Sequence, residues 1–373
     1  MFDAPPFWMY IVGFLLLLGP LVTVHELGHL LVGRLFGVKA DAFSVGFGKE
    51  LAGFTDRQGT RWKLSALPLG GYVQFKGDMN PASVPDTDAP KEEGSFQHAA
   101  LWKRALIVAA GPVTNLLVAI AIFFSFNLYY GKPLPVSPDE VGMVVAFTPD
   151  SAARKAGFAI GDRIVAIDGE DMASWRDIQQ TIMFNPNSRL VITVLREGRE
   201  LDLPVTTMAS QLKDRFGNPQ TVGLIGIQTR ETSERFEPLG VGAAAVRSVE
   251  QTGQMAQLMV TGIAQIIRGD RALSELGGPI KIAKVSGEQM SLGLPEFISL
   301  AAMISLNLAF INFLPIPALD GGHLMFYAAE AIRRKPVGPQ ATEWAYRTGI
   351  ALVLMLMVVV TVNDLFSLPL FGS

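Results

Sequence analysis

Residues 7–36 constrain this chain more than any other stretch. The segment opens as an apolar run and then carries His25-Glu26-Leu27-Gly28-His29. In lipid, a segment of that length satisfies its backbone groups only as a helix. Ionisable side chains inside such a helix are costly and mark function. His25 and His29 stand four apart, so a helix places both rings on one face, where they can hold one metal ion. Glu26 lies beside them, where it could take a proton from a metal-bound water. The competing reading is a structural polar cluster. Three ionisable groups within five positions at lipid depth argue instead for zinc.

Composition bears on this only in outline. Of 373 residues 49% are hydrophobic, which suits several membrane spans, and 17% are charged, which leaves a water-exposed part. A formal net charge of -3 gives no footprint for nucleic acid. The chain has no cysteine, so disulfides and thiolate metal ligands are excluded. The first apolar run lacks a basic leader and a small-residue cleavage site, and it carries the chemistry. It reads as a retained helix, not a signal peptide.

Four apolar spans stand out, at 7–36, 105–129, 297–314 and 346–365. Lysines and arginines crowd the connection between the first two, from Arg34 to Arg104, and that between the last two, from Arg333 to Arg347. By the positive-inside rule these connections face the cytoplasm, and both termini and the long segment 131–294 face outward. The first and third spans then cross in the same direction. Soon after the third comes Asn312-Phe-Leu-Pro315-Ile-Pro317-Ala-Leu-Asp320-Gly321-Gly322-His323. Pro315 and Pro317 cannot continue a regular helix, and the glycine pair permits an unusual turn. Asp320 is thereby expected on broken backbone at the depth of His25 and His29. Two histidines and a carboxylate leave the fourth tetrahedral position of zinc to water, the catalytic arrangement. Asp320 as a turn or cap residue, and His323 as third ligand, are the alternatives.

The motif at His25–His29, Gly111-Pro112-Val-Thr-Asn115 in the second span, and the run from Asn312 to Gly321 together resemble the site-2 protease family. Its bacterial form, the RseP-like intramembrane zinc metalloproteases, is the nearest type, and the resemblance covers essentially the whole chain. It implies His25, His29 and Asp320 as zinc ligands and Glu26 as catalytic acid and base. It further implies that Asn312 positions the substrate or stabilises the oxyanion. The expected fold is a multi-pass α-helical membrane protein of four transmembrane helices, with a cytoplasmic-side membrane-associated β-hairpin region and one inserted α+β PDZ domain.

That hairpin region is expected over 43–76, where short apolar and aromatic runs are broken by glycines. An exposed edge there could pair with an unwound substrate segment; a plain cytoplasmic hairpin is the alternative. Residues 78–94, rich in Pro, Asp and Ser, read as a loop. Gly111 reads as a helix-packing residue and Asn115 as a hydrogen bonder of undetermined role. Residues 141–207 resemble a bacterial PDZ domain through Pro149 to Gly169, with a short helix at 153–156 capped by Gly157 and strands at 190–195 and 201–205. The domain is placed within 131–210, followed over 211–294 by a connector and an amphipathic helix at 241–268, on the outer leaflet or under the PDZ. From Leu276 the chain re-enters toward the third span.

The resulting expectation is an enzyme of the inner membrane of a bacterium that hydrolyses peptide bonds in or near transmembrane segments. Its partners would be the lipid bilayer, single-pass membrane proteins such as an anti-sigma factor or a remnant signal peptide, and an upstream site-1-type protease that trims them. A non-catalytic PDZ scaffold is the rival reading. A metal transporter is disfavoured, because the other spans hold no comparable relay of ionisable groups.

Overall fold

Helices that cross lipid expose apolar side chains outward and need close internal contacts to pack at all. Both features are present in the computed structural model, which describes residues 5–77, 92–134, 142–172, 175–213, 219–229, 235–269 and 277–366. The loop expected at 78–94 lies almost wholly outside these residues, as do Val141, Leu276 and the two tails.

In chain order, α1 (Phe7–Leu35) leads to β1 (Ala40–Thr55), β2 (Arg61–Phe75) and α2 (Leu101–Tyr130). There follow β3 (Lys132–Leu134), β4 (Val144–Phe147), α3 (Ala152–Lys155), β5 (Arg163–Ile167), β6 (Glu170–Asp171) and α4 (Trp175–Met183). Next come β7 (Arg189–Arg196), β8 (Arg199–Thr206), β9 (Met208–Lys213), β10 (Pro219–Leu224), β11 (Ile227–Thr229) and β12 (Arg235–Glu237). Five helices close the chain: α5 (Val241–Arg268), α6 (Pro279–Leu292), α7 (Leu294–Phe313), α8 (Asp320–Arg333) and α9 (Pro339–Phe366). The chain divides into two compact units, Phe124–Arg271 and the remainder built from Pro5–Phe123 with Ala272–Ser373.

Among the described residues, four helices are long and apolar enough to cross a membrane: α1, α2, α7 and Gln340–Leu365 of α9. They match the four expected spans, with ends that differ by at most six residues. In α9, Leu352 and every residue from Leu354 to Val359 are exposed. In water this would be a large unpaired apolar patch; in lipid it is ordinary surface.

One element of the membrane unit, α6, was not foreseen. It packs against α1 with glycine facing the partner on both sides. A Cβ on Gly13 would lie 2.9 Å from the Ser286 carbonyl oxygen, and one on Gly287 would lie 2.9 Å from the Tyr10 backbone. The start of α6 has no capping side chain of its own. Asp364 of α9, itself buried, supplies the acceptor: the N–H groups of Gly278 and Lys281 donate to its carboxylate at 3.2 and 2.9 Å. An anion at a helix N-terminus satisfies orphan donors and complements the dipole.

The expected hairpin region is formed by β1 and β2, both long and bent. Residues Ala42 to Val45 face Gln74 to Gly71 on one side and Arg61 to Leu64 on the other. The end of β2 is therefore an outer strand, with no further strand paired to it among the described residues, and it lies against α1. Arg34, in the last turn of α1, holds the sheet by its far turn. Its guanidinium pairs with Asp56 and donates to the Thr60 hydroxyl at 2.8 Å, while it stacks over Trp62. The Trp62 indole N–H also donates to Asp56 at 2.8 Å.

In the other unit, β6-β5-β7-β8 form a four-stranded antiparallel sheet. Ile164, Ile167, Ile178, Ile192 and Val194 pack its core. The helix α3 ends on Gly157 at φ +95°, one residue off the expected span. Strands at Arg189–Arg196 and Arg199–Thr206 contain those expected. Beyond residue 210 the unit continues: β11 pairs with β4, and Ile225 enters the same core. Asp162 is fully buried and forked by Arg196 at 2.6 and 2.7 Å. Burial pushes its carboxyl up, but Arg196 and the Ala159 N–H hold it below the usual range.

The turn at Asp56 makes the sheet's attachment sensitive to acid. The Trp62 indole, with help from Arg34 and the N–H groups of Thr60 and Gln58, holds the Asp56 carboxyl far below its ordinary value. A depressed carboxyl contributes stability that is full above its unfolded pKa and lost as pH falls toward the folded one. Protection of β1 and β2 from hydrogen exchange should therefore fall on acidification below the ordinary carboxylate range. In Asp56→Asn protein it should be reduced already at neutral pH, with little further change.

Candidate metal centre

Helix periodicity brings the two histidines together, and a break in a distant helix brings the carboxylate. His25 and His29 are both buried on α1, with ring centroids 4.8 Å apart and planes at 81°. Their Nε2 atoms are 3.2 Å from each other. Asp320 begins α8, and its Oδ2 lies 3.1 Å from His25 Nε2 while its Oδ1 lies 3.7 Å from His29 Nε2. The ligand atoms of the three residues all fall within 4.8 Å of one another.

Asp320 reaches this place because α7 stops at Phe313 and the backbone turns extended at Leu314. The strained residue of the connection is Ala318, at φ +87°, rather than either glycine. Gly321 and Gly322 are helical and serve a different purpose from the unusual turn expected of them. A Cβ on Gly321 would stand 2.5 Å from the Phe313 carbonyl oxygen, and one on Gly322 would stand 2.7 Å from Pro317 Cα. Their bareness lets the first turn of α8 press back on the loop. Gly349 of α9 gives the same clearance on the far side, where a Cβ would meet the Pro317 carbonyl carbon at 2.5 Å.

The chemistry of the donor set calls for a cation. His29 Nδ1 lies 2.8 Å from the Ile107 carbonyl oxygen, which only accepts, so Nδ1 carries the proton and Nε2 a lone pair. That lone pair faces His25 Nε2 and a carboxylate whose Oδ2 is buried without a hydrogen-bond partner. Lone pairs this close repel unless a proton or a metal ion lies between them. Two imidazole nitrogens about 2.0–2.1 Å from one tetrahedral zinc stand about 3.3 Å apart, close to the separation found here. Helix α2 leaves the space. A Cβ on Gly111 would lie 2.6 Å from His25 Nε2 and closer still to His29 Nε2. Gly111 was expected only to pack helices; it backs the donor set, and any side chain there would enter it.

The remaining site residues are placed as follows. Glu26 accepts a hydrogen bond from the Val73 N–H, 3.1 Å away, on the outer strand of the sheet. Asn312 lies in the last turn of α7, half-buried. His323 stands apart from the donor cluster and is engaged by the Tyr346 hydroxyl, 2.6 Å from its Nδ1. Asn115, fully buried in α2, has its amide nitrogen 3.2 Å from His25 Nδ1. Spacing alone held a clue to α2's part. Ile107, Gly111 and Asn115 repeat every four residues, the same ridge spacing as His25 and His29. The roles of the Ile107 carbonyl and the Val73 N–H leave no trace in residue identity.

Membrane-length helices and a His–His–Asp donor set with both histidines buried, beside a glutamate, define a membrane protein with a candidate metal site of hydrolytic type. Residues 13–356 match peptidase family M50, and the chain belongs to that family. A protein of Agrobacterium fabrum, named as a candidate zinc metalloprotease, is 43% identical over 367 residues, 96% of each chain. One of Rhizobium meliloti, named likewise, is 45% identical over 363 residues, 94% of this chain and 95% of its own. Metalloprotease MmpA of Caulobacter vibrioides is 33% identical over 387 residues, 96% of each.

The space at Gly111 can be tested directly. Gly111→Ala should weaken zinc retention at least about tenfold, on the scale of a disturbed ligand shell, because the methyl group enters the donor set. Zinc content of the purified variant, alongside its thermal unfolding, checks this.

Proposed function

We propose that this protein is a zinc metalloprotease of the bacterial inner membrane that hydrolyses peptide bonds in or near transmembrane segments of single-pass proteins. The observation that carries the reading is the convergence of His25, His29 and Asp320 within a membrane unit, with Glu26 beside them on the same helix. His25 Nε2, His29 Nε2 and an Asp320 oxygen would hold the zinc. Bound there, zinc polarises a scissile carbonyl and lowers the pKa of the attacking water. Glu26 takes the proton of that water and passes it to the leaving amine. The Asn312 amide donates to the oxygen on which charge develops.

A helical substrate hides its carbonyls in its own hydrogen bonds, so it must unwind before cleavage. The outer strand at the end of β2 supports a place for the unwound stretch. Glu26 is bonded to that strand, so a peptide laid extended along it would pass the base. An anti-sigma factor or a remnant signal peptide, already trimmed by a site-1-type protease, has the required single-pass form. Both termini and Phe124–Arg271 would face outward, with the sheet on the cytoplasmic side. Within that outer unit we read a PDZ domain, which acts before chemistry by holding a trimmed C-terminus or excluding bulky outer domains.

Glu26→Gln leaves the donor set intact, so it should keep zinc and lose about 10²–10⁴-fold in cleavage of a tagged single-pass test substrate. Near wild-type cleavage would sink the enzymatic role given to Glu26 and favour the scaffold reading. Asp320→Ala should lose zinc, whereas His323→Ala should keep it; the opposite pattern in metal content would move the third ligand to His323. Excision of residues 142–229 should leave cleavage of a short, trimmed substrate largely intact and relax discrimination against an untrimmed one. Equal loss for both, in folded and zinc-loaded protein, would make the unit part of the catalytic scaffold.

A further inference from the structure

We propose that Asn115 is the positioning residue of His25: its amide oxygen accepts the Nδ1–H of His25 and so keeps Nε2 deprotonated and aimed at the metal. The inference rests on the reading of His25 as a zinc ligand. His25 and His29 come from one face of α1, yet their outer partners differ. His29 has a backbone carbonyl, that of Ile107, which fixes its tautomer. The corresponding position against His25 is taken by the Asn115 side chain, 3.2 Å from Nδ1.

The two ends of an amide occupy the same volume, so hydrogen bonding decides which end faces a neighbour. With the nitrogen toward His25, two things go wrong. The Asn115 Oδ1 is left buried with no donor. The His25 proton is also forced onto Nε2, the atom turned to His29 Nε2 and Asp320, where a metal-bound ring needs a lone pair. Turning the amide over puts an acceptor against Nδ1–H and frees Nε2 as a lone pair, matching His29. Metal-bound histidines almost always donate their other N–H to such an acceptor, which fixes ring and tautomer.

The support of Asn115 is itself rigid. The residue is fully buried, and its backbone carbonyl accepts from the Ser305 hydroxyl of α7 at 2.8 Å. Asn115 is thus tied to α7 through its backbone while its side chain faces α1. With Ile107 it makes α2, which carries none of the three ligands, the helix that orients both histidines.

The test is zinc affinity of the full-length purified chain, by competition with a chromogenic chelator, for wild type, Asn115→Leu, Asn115→Asp and His25→Ala. Asn115→Leu, nearly the same size but without an acceptor, should bind zinc 10–100-fold more weakly. Asn115→Asp restores an acceptor in the same volume and should bind at least as tightly as wild type. Equal weakening in the Leu and Asp variants would overturn the inference, since packing rather than the acceptor would then matter. Wild-type affinity in Asn115→Leu, with affinity lost in His25→Ala, would also overturn it while leaving the ligand intact. Wild-type affinity in His25→Ala would overturn the ligand assignment on which the inference stands.

Discussion

Three lone-pair donors packed against one another inside a membrane unit are the constraint on which this structure depends. Two imidazole nitrogens and a carboxylate within 4.8 Å, mostly out of reach of water, repel unless a cation joins them. The rest of the unit can be understood as holding that arrangement. Gly111 keeps the space clear, the Ile107 carbonyl sets the His29 tautomer, and the break after α7 delivers Asp320. Close glycine contacts between α1 and α6, and between α9 and the proline loop, hold the ligand-bearing segments at short range.

The sheet places a second chemistry beside the first. Glu26 is one residue from His25, and its carboxylate accepts from the Val73 N–H of the sheet. Under the proposed role of Glu26, a base anchored to that outer strand would stay next to a peptide that extends along it. The same strand belongs to a sheet tied to the end of α1 through Arg34, Asp56 and Trp62. In the proposed reading the two histidine ligands, the base and the strand are all referred to α1, and Asp320 alone comes from another helix, α8.

Much of this was legible in residue order, and the reasons are local. Helical spacing placed His25 and His29 on one face, hydropathy marked the four spans, and two prolines flagged the break before Asp320. What stayed hidden depended on partners distant in sequence or on backbone atoms. The start of α6 is capped by Asp364, some eighty residues downstream, so no local signal announced it. The glycine pair at Gly321–Gly322 looked like a turn but is helical, because only the folded loop shows what presses on it. Gly111 looked like packing because the histidines it faces come from another helix. Asn115 was visible as an odd polar residue in a span, but its role required the His25 ring beside it.

The most direct test of the account is X-ray absorption at the zinc edge on the purified, detergent-solubilised chain. The account predicts one zinc per chain with a nitrogen and oxygen shell at about 2.0–2.1 Å and the outer-shell scattering of two imidazoles. That signal should vanish when His25 and His29 are both replaced by alanine. Zinc bound without imidazole scattering, or unchanged in the double variant, would contradict the assignment of this site.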